Sequence, residues 1–310
     1  MSAVAEWEAV IGTPPAGVTD RRQAVGGGAS VALPPGLTHL SASAISQYLR
    51  CPRQWAIVRI LGIKAPPDGG LVSGSAMHKG AEHGMRVKME TGKNPNVAEV
   101  ADVARDDAVA GIERSLAQAE ATGLREHLTG DGLVPAAVID KAARLAGVWA
   151  EKAAPSCEPV AVEEEFNAEI AGVRVTGRLD VIEESRAIRD WKTSGKTPVA
   201  ADVASTVQTE MYAAATGRPV NYTYFVDQAR GVKVVAIEVP SEDLARASRL
   251  AADTVAGVAV GIAAGSFPRK RDGWHCSARW CAFHRGCMAG DFDAPLAERV
   301  PEYLRGGASS

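Results

Sequence analysis

At 310 residues the chain has room for one large domain or two small ones, with ample length for a real core. Hydrophobic residues make up 46% and charged residues 23%, ordinary globular values. No apolar run approaches the roughly 18 residues of a membrane span, and the N-terminus lacks a basic start followed by an apolar stretch. Neither export nor a membrane role is expected, and the chain reads as cytoplasmic. A net charge of −3 does not advertise a nucleic-acid binder, but its distribution is uneven. Residues 50–64 carry Arg50, Arg53, Arg59 and Lys64 with no acid, and residues 269–287 carry Arg269, Lys270, Arg271, Arg279 and Arg285 against Asp272 alone. Local basic patches on an acidic protein suit a polyanion held at one face, although such runs are also common as plain solvated surface.

Residues 1–36 hold Pro14, Pro15, the Gly26–Gly28 run, Pro34 and Pro35 with little periodicity, and read as a disordered leader. Ser41 or Ser43 can cap a short helix carrying Ile45, Tyr48 and Leu49, which stops at Cys51-Pro52. A second helical run spans Trp55 to Leu61, and a third runs from Gly74 to about Thr91 and contains His78. Residues 97–122 and 136–153 read as two amphipathic helices, broken by Gly130, Gly132 and Pro135 and taken as a helical insertion. Strands are expected near Val160, over 168–183 and over 187–192, followed by a helix over about 202–216. Two more strands, Val220–Val226 and Val232–Val239, lead to a long helix capped by Ser241 and ending near Ala264. A cysteine-rich segment, 269–290, and a tail, 291–310, complete the chain. Helices before, between and after a run of strands argue an α/β domain over 37–290, its central mixed sheet flanked by helices.

The stretch 173–194 carries the chemistry. If the turn is centred on Ser185, Asp180 lies opposite Asp190, with Cα atoms ~5 Å apart. Asp190 and Lys192 then share one face of the sheet while Trp191 points to the other. Two carboxylates so close repel, and a divalent cation is one reason to place them there. A surface ion pair between Asp190 and Lys192, with Asp180 solvated, is the alternative. Ser194-Gly195-Lys196-Thr197 looks like the end of a phosphate-binding loop, but the glycine required five residues before Gly195 is Asp190.

His78 on its helix, Gly177-Arg178-Leu179-Asp180 on one strand, Asp190-Trp191-Lys192 on the next, and Gln208 to Tyr212 on a helix occur in that order. In order and setting they resemble the RecB-like branch of the PD-(D/E)XK nuclease superfamily, over roughly Leu40 to Cys287. The resemblance implies a restriction-endonuclease-like core in which His78, Asp180, Asp190 and the Trp191 carbonyl hold Mg²⁺ or Mn²⁺ beside the scissile phosphate. It further implies that Lys192 stabilises the hydroxide and the developing charge, that Gln208 and Tyr212 position the nucleic acid, and that Arg178 reaches a phosphate.

Cys51, in Tyr48-Leu49-Arg50-Cys51-Pro52-Arg53, and the Cys276-x4-Cys281-x5-Cys287 triplet look like the iron–sulfur staple of AddB-type and CRISPR-associated relatives. The x4 spacing departs from the shorter interval usual there. The resemblance implies a structural 4Fe–4S cluster fastening the two ends of the domain, with zinc as the rival occupant and His275 and His284 as spare ligands. Cys157 fits no pattern. The expected function is a metal-dependent DNA exonuclease acting on single-stranded or resected ends in recombination, repair or phage DNA processing, with a helicase or recombinase as a partner. The alternatives are a CRISPR-adaptation nuclease that trims spacers and a non-catalytic DNA-end-binding module of a helicase–nuclease complex.

Overall fold

The Ser41 hydroxyl accepts a hydrogen bond from the Ala44 amide at 3.1 Å and starts helix α1, Ala42–Arg50. Strand β1, Leu40–Ser41, runs straight into it. The fold is described from a computed structural model covering residues 32–128 and 132–306. Most of the expected leader (residues 1–31), the Gly130 break and the last four residues lie outside the described residues.

Helix α2, Pro52–Arg59, opens with its proline at the first helical position, where a missing N–H costs nothing. Helix α3, Gly69–Thr91, begins earlier than the apolar periodicity suggests because Asp68 caps it, accepting from the Leu71 amide at 2.8 Å. Asn96 likewise caps α4, Val97–Thr122, and Pro135 opens α5, Pro135–Lys152. The β-rich stretch differs from expectation at one point. Instead of continuous strand over 168–183, β2, Pro159–Ile170, turns back at Ala171 and Gly172 into β3, Val173–Glu183. Both turn residues have positive φ, 51° and 74°, the geometry of a tight two-residue hairpin. An alanine at the first position hides that turn from a sequence reader, and the alternation runs through it.

β4, Ile188–Ser194, pairs with β3 in the register Val181 to Arg189 and Ile182 to Ile188. Continuing that register sets Asp180 opposite Asp190. The helix expected over 202–216 is two, α6, Ala200–Ala204, and α7, Val207–Thr216, because Thr206 breaks the first and caps the second. β5, Val220–Gln228, and β6, Gly231–Glu238, precede α8, Ser241–Ala263. Ser241 is the first residue inside α8 and makes no capping bond; Pro240 holds the cap position. Helices α9, His284–Ala289, and α10, Asp293–Leu304, follow, and α10 docks through buried Leu296 and Tyr303.

The six strands form one mixed sheet in the order β1-β3-β4-β5-β6, with β2 also paired to β3. β2 is antiparallel to β3 along its whole length, so β1 and β4 share the other edge of β3. β1 pairs in parallel at Val175 and Thr176, and β4 pairs at Val181 and Ile182. The β3 edge between them, Gly177 to Asp180, is open to side chains rather than to another strand.

Two apolar clusters cover the sheet. One joins α1, α2, α7 and α8 to Leu179, Ile188, Tyr222 and their neighbours. The other joins α3, α4 and α5 to Val181, Trp191 and Phe225. Gly177 has a packing reason to be glycine, since a Cβ there would run into the Phe166 ring. Phe166 in turn meets Tyr212 edge-on at 6.0 Å. Gly177→Ala is therefore expected to lose about 1–3 kcal/mol in urea unfolding, the range for forced overpacking. An unchanged midpoint would show that the ring gives way freely.

Candidate active site

The open edge of β3 is where the expected site residues meet. Asp190 on β4 is fully buried and accepts from three groups. The Lys192 ammonium binds its Oδ1, while Gln208 Nε2 at 2.7 Å and the Tyr212 hydroxyl at 2.9 Å reach its Oδ2. Gln208 and Tyr212 share a face of α7 because they are four residues apart, and Gln208 also donates to the Tyr212 oxygen at 2.6 Å. The Tyr212 hydroxyl lies 2.9 Å from the Arg178 carbonyl as well, on the part of β3 that no strand covers. With one proton for two acceptors, that hydroxyl ties the split sheet to the Asp190 carboxylate.

Asp180 does the complementary job. Its Oδ2 accepts the Trp191 amide at 2.9 Å and lies 3.3 Å from His78 Nδ1 on α3. His78, Asp180, Asp190, Lys192, Gln208 and Tyr212 thus form one connected network drawn from α3, β3, β4 and α7. Trp191 contributes its N–H to it, while its ring lies in the opposite cluster, 5.8 Å from Trp149.

The network separates the charges of its acids. Burial alone would raise the Asp180 carboxyl, but the His78 hydrogen bond and charge, with Lys192 and the Trp191 amide, hold it below the usual carboxylate range. Burial and the Asp180 charge push Asp190 up, against the pull of Lys192. For His78, burial would lower the imidazole value, yet the Asp180 bond and both carboxylate charges raise it. Burial also opposes the Lys192 charge, and the two acids outweigh it so that the ammonium stays charged.

These directions fix a pH window. The raised His78 contributes its full stability below the ordinary imidazole value and loses it as pH rises through the raised one. The depressed Asp180 contributes above the ordinary carboxylate value and loses its share as pH falls through the lowered one. The pair therefore stabilises most between roughly pH 4 and 6.5. Melting of wild type and His78→Asn across pH is expected to diverge most in that window. A gap that widens above pH 8 instead would contradict the pairing.

Arg178 is exposed and is held by Glu165 at 2.9 Å and Glu163 at 3.4 Å. Glu163 itself has a left-handed backbone, φ 56°, and its carboxyl is raised by burial and by the Asp180 and Glu82 charges. Glu82 escaped the sequence reading. It lies one helical turn beyond His78 on α3, the i,i+4 spacing that would have exposed it, and bonds Lys79 and Arg86.

Both expected metal centres need correction. Among the described residues, no group of three or more His, Cys, Asp or Glu side chains is placed to hold a metal ion. At the Mg²⁺ or Mn²⁺ site expected from His78, Asp180, Asp190 and Trp191, the donors face one another. Asp190 is taken up by Lys192, Gln208 and Tyr212, and Asp180 by His78 and the Trp191 amide. The residues in this arrangement do not fit a divalent cation.

The expected 4Fe–4S or zinc staple is overturned by the same finding. Cys51, Cys276, Cys281 and Cys287 are free thiols that line one pocket with His275 and His284, but among the described residues they are not brought together as a group that could hold a metal ion. Burial pushes the Cys281 thiol up to about 11, and burial with neighbouring cysteines raises Cys276. The AddB-type staple is withdrawn, and with it the metal-stapled termini. Burial likewise raises Cys157, to about 12.

The model of the PD-(D/E)XK nuclease superfamily matches residues 39–288. The chain belongs to that superfamily. Its mixed sheet flanked by helices is the α/β core of the PD-(D/E)XK fold, and superfamily membership makes it a nuclease acting on DNA at that coarse level. Among solved structures, it is similar to a Eubacterium rectale protein described as a candidate exonuclease, with 12% identity and a TM-score of 0.42 over 77% of this chain and 87% of that one. It is also similar to the protein SSO0001, with 15% identity and a TM-score of 0.29 over 69% of this chain and 84% of that one. No curated protein matches the chain. No helix among the described residues is long and apolar enough to cross a membrane.

Proposed function

We propose that this PD-(D/E)XK protein is an exonuclease that hydrolyses phosphodiester bonds from DNA ends, with the network at the open β3 edge as its active site. The observation that carries the reading is the meeting of His78, Asp180, Asp190 and Lys192 from three elements. Such a cluster of two acids and two cations, largely withdrawn from water around the fully buried Asp190, has no structural purpose that apolar packing would not serve as well.

Each side chain has a role fitted to its place. Lys192, charged and partly open to solvent, meets a non-bridging phosphate oxygen and offsets the charge that grows on the phosphoryl group. His78, also partly open and charged beside Asp180, holds a proton at the mouth of the site. Asp190 and Asp180 keep those two cations in position. Gln208 and buried Tyr212 act on the nucleic acid through the carboxylate they hold, and exposed Arg178 reaches the backbone phosphates. A helicase or recombinase partner and a role in recombination or repair fit an end-directed nuclease.

End dependence is tested by offering the purified protein labelled linear DNA and covalently closed circles, in buffers with and without divalent cations. Loss of linear DNA with intact circles supports the reading. Nicked circles at a comparable rate would turn it into an endonuclease, and intact DNA throughout would favour the non-catalytic end-binding module.

A further inference from the structure

Of the six tryptophans, Trp55, Trp149 and Trp191 are at most 1% exposed, while Trp274 and Trp280 stand 72% and 53% exposed. Two indoles left in water within seven residues of chain are an unusual use of the largest apolar side chain. Their rings meet edge-on at 5.5 Å, and the Arg279 guanidinium lies over the Trp280 ring at 5.1 Å. The edge-on contact covers one face of one indole, and both rings keep most of their surface in water. Lys270 and Arg271 are exposed nearby in sequence, and neither they nor Arg279 make an ion pair with a carboxylate among the described residues. Asp272 is the only acid between residues 269 and 287.

We infer that Trp274 and Trp280, with Arg279, Lys270 and Arg271 around them, form a platform on which bases of single-stranded DNA stack while the cations follow the phosphates. Stacking needs an accessible aromatic face and tolerates any base, because every base has a π-face. A duplex keeps its bases stacked on each other and offers these indoles only its backbone. Arg279 at the Trp280 ring, with Lys270 and Arg271 close in sequence, favours a polyanion over an apolar protein patch. This goes beyond the cleavage site and selects the strand form that the protein binds. It needs no cleavage to be observed.

The test is fluorescence anisotropy with a labelled oligothymidylate of about 20 nucleotides, a hairpin duplex of equal length serving as comparison. Asp190→Asn protein serves as the background, so that binding is read without cutting. Trp274→Ala and Trp280→Ala are each expected to weaken oligothymidylate binding about 5-fold or more and to leave duplex binding nearly unchanged. Trp274→Phe and Trp280→Phe, which keep an aromatic face, should retain most of the affinity and cover the case of an alanine variant that fails to fold. The oligonucleotide should also quench intrinsic tryptophan fluorescence. Wild-type affinity in folded alanine variants, or an equal loss for duplex, would overturn the platform. So would a concentration-dependent dimer that the alanine variants abolish, since the indoles would then belong to an interface between copies.

Discussion

Replacing Asp190 with alanine is expected to abolish DNA cleavage, by at least about 1,000-fold, and to destabilise the fold by about 3 kcal/mol. The carboxylate is inaccessible to solvent and is the acceptor shared by Lys192, Gln208 and Tyr212. Its removal leaves the Tyr212 hydroxyl with the Arg178 carbonyl alone to donate to and leaves the ammonium without its partner. Lys192 keeps some contact with water, which places the cost at the low end of the range for broken buried pairs. Asp190→Asn keeps the shape and part of the hydrogen bonding, so it separates the two effects. Urea unfolding and an end-labelled DNA assay on the same preparations check both. Full activity in either folded variant would remove Asp190 from the mechanism.

The second large effect is expected at Trp191→Ala, about 3–5 kcal/mol, the usual range for deleting a buried indole. The ring is 1% exposed and packs against Trp149 at 5.8 Å and Phe225 at 6.5 Å. Those contacts clamp β4 to the α3–α5 layer, and Asp190 and Lys192 sit on either side of the same residue. Activity should therefore fall together with the unfolding midpoint. Trp191→Phe should recover most of both. A variant that loses activity at an unchanged midpoint would mean that the ring acts on substrate rather than through packing.

The strand alternation around Trp191 was readable without coordinates, because a period of two leaves Asp190 and Lys192 no choice of face once the indole is buried. The partnership of Gln208 with Tyr212 followed from helical spacing in the same way. Other features lay beyond local pattern. The turn at Ala171 and Gly172 uses a residue that seldom signals a reversal. The break before α7 depends on Thr206 serving as a cap.

The metal expectations failed for a third reason. Residue types and their order say which side chains share a neighbourhood, but not which lone pairs are already engaged. Asp180 and Asp190 are satisfied by His78, the Trp191 amide, Lys192, Gln208 and Tyr212, and the thiols of Cys51, Cys276, Cys281 and Cys287 share a pocket without being brought together as a group that could hold a metal. The exposed pair Trp274 and Trp280 was equally hidden, since burial is not written in the identity of an indole.

At the centre of the account is a charged Lys192, held by Asp190 at the open edge of β3, acting on a DNA phosphate. The most direct measurement is the initial rate of nucleotide release from end-labelled DNA by wild type and by Lys192→Met, at matched concentrations of protein shown to be folded by circular dichroism. The account predicts rapid release by wild type and a loss of at least about 100-fold in the variant. Equal rates from the two folded proteins would contradict it.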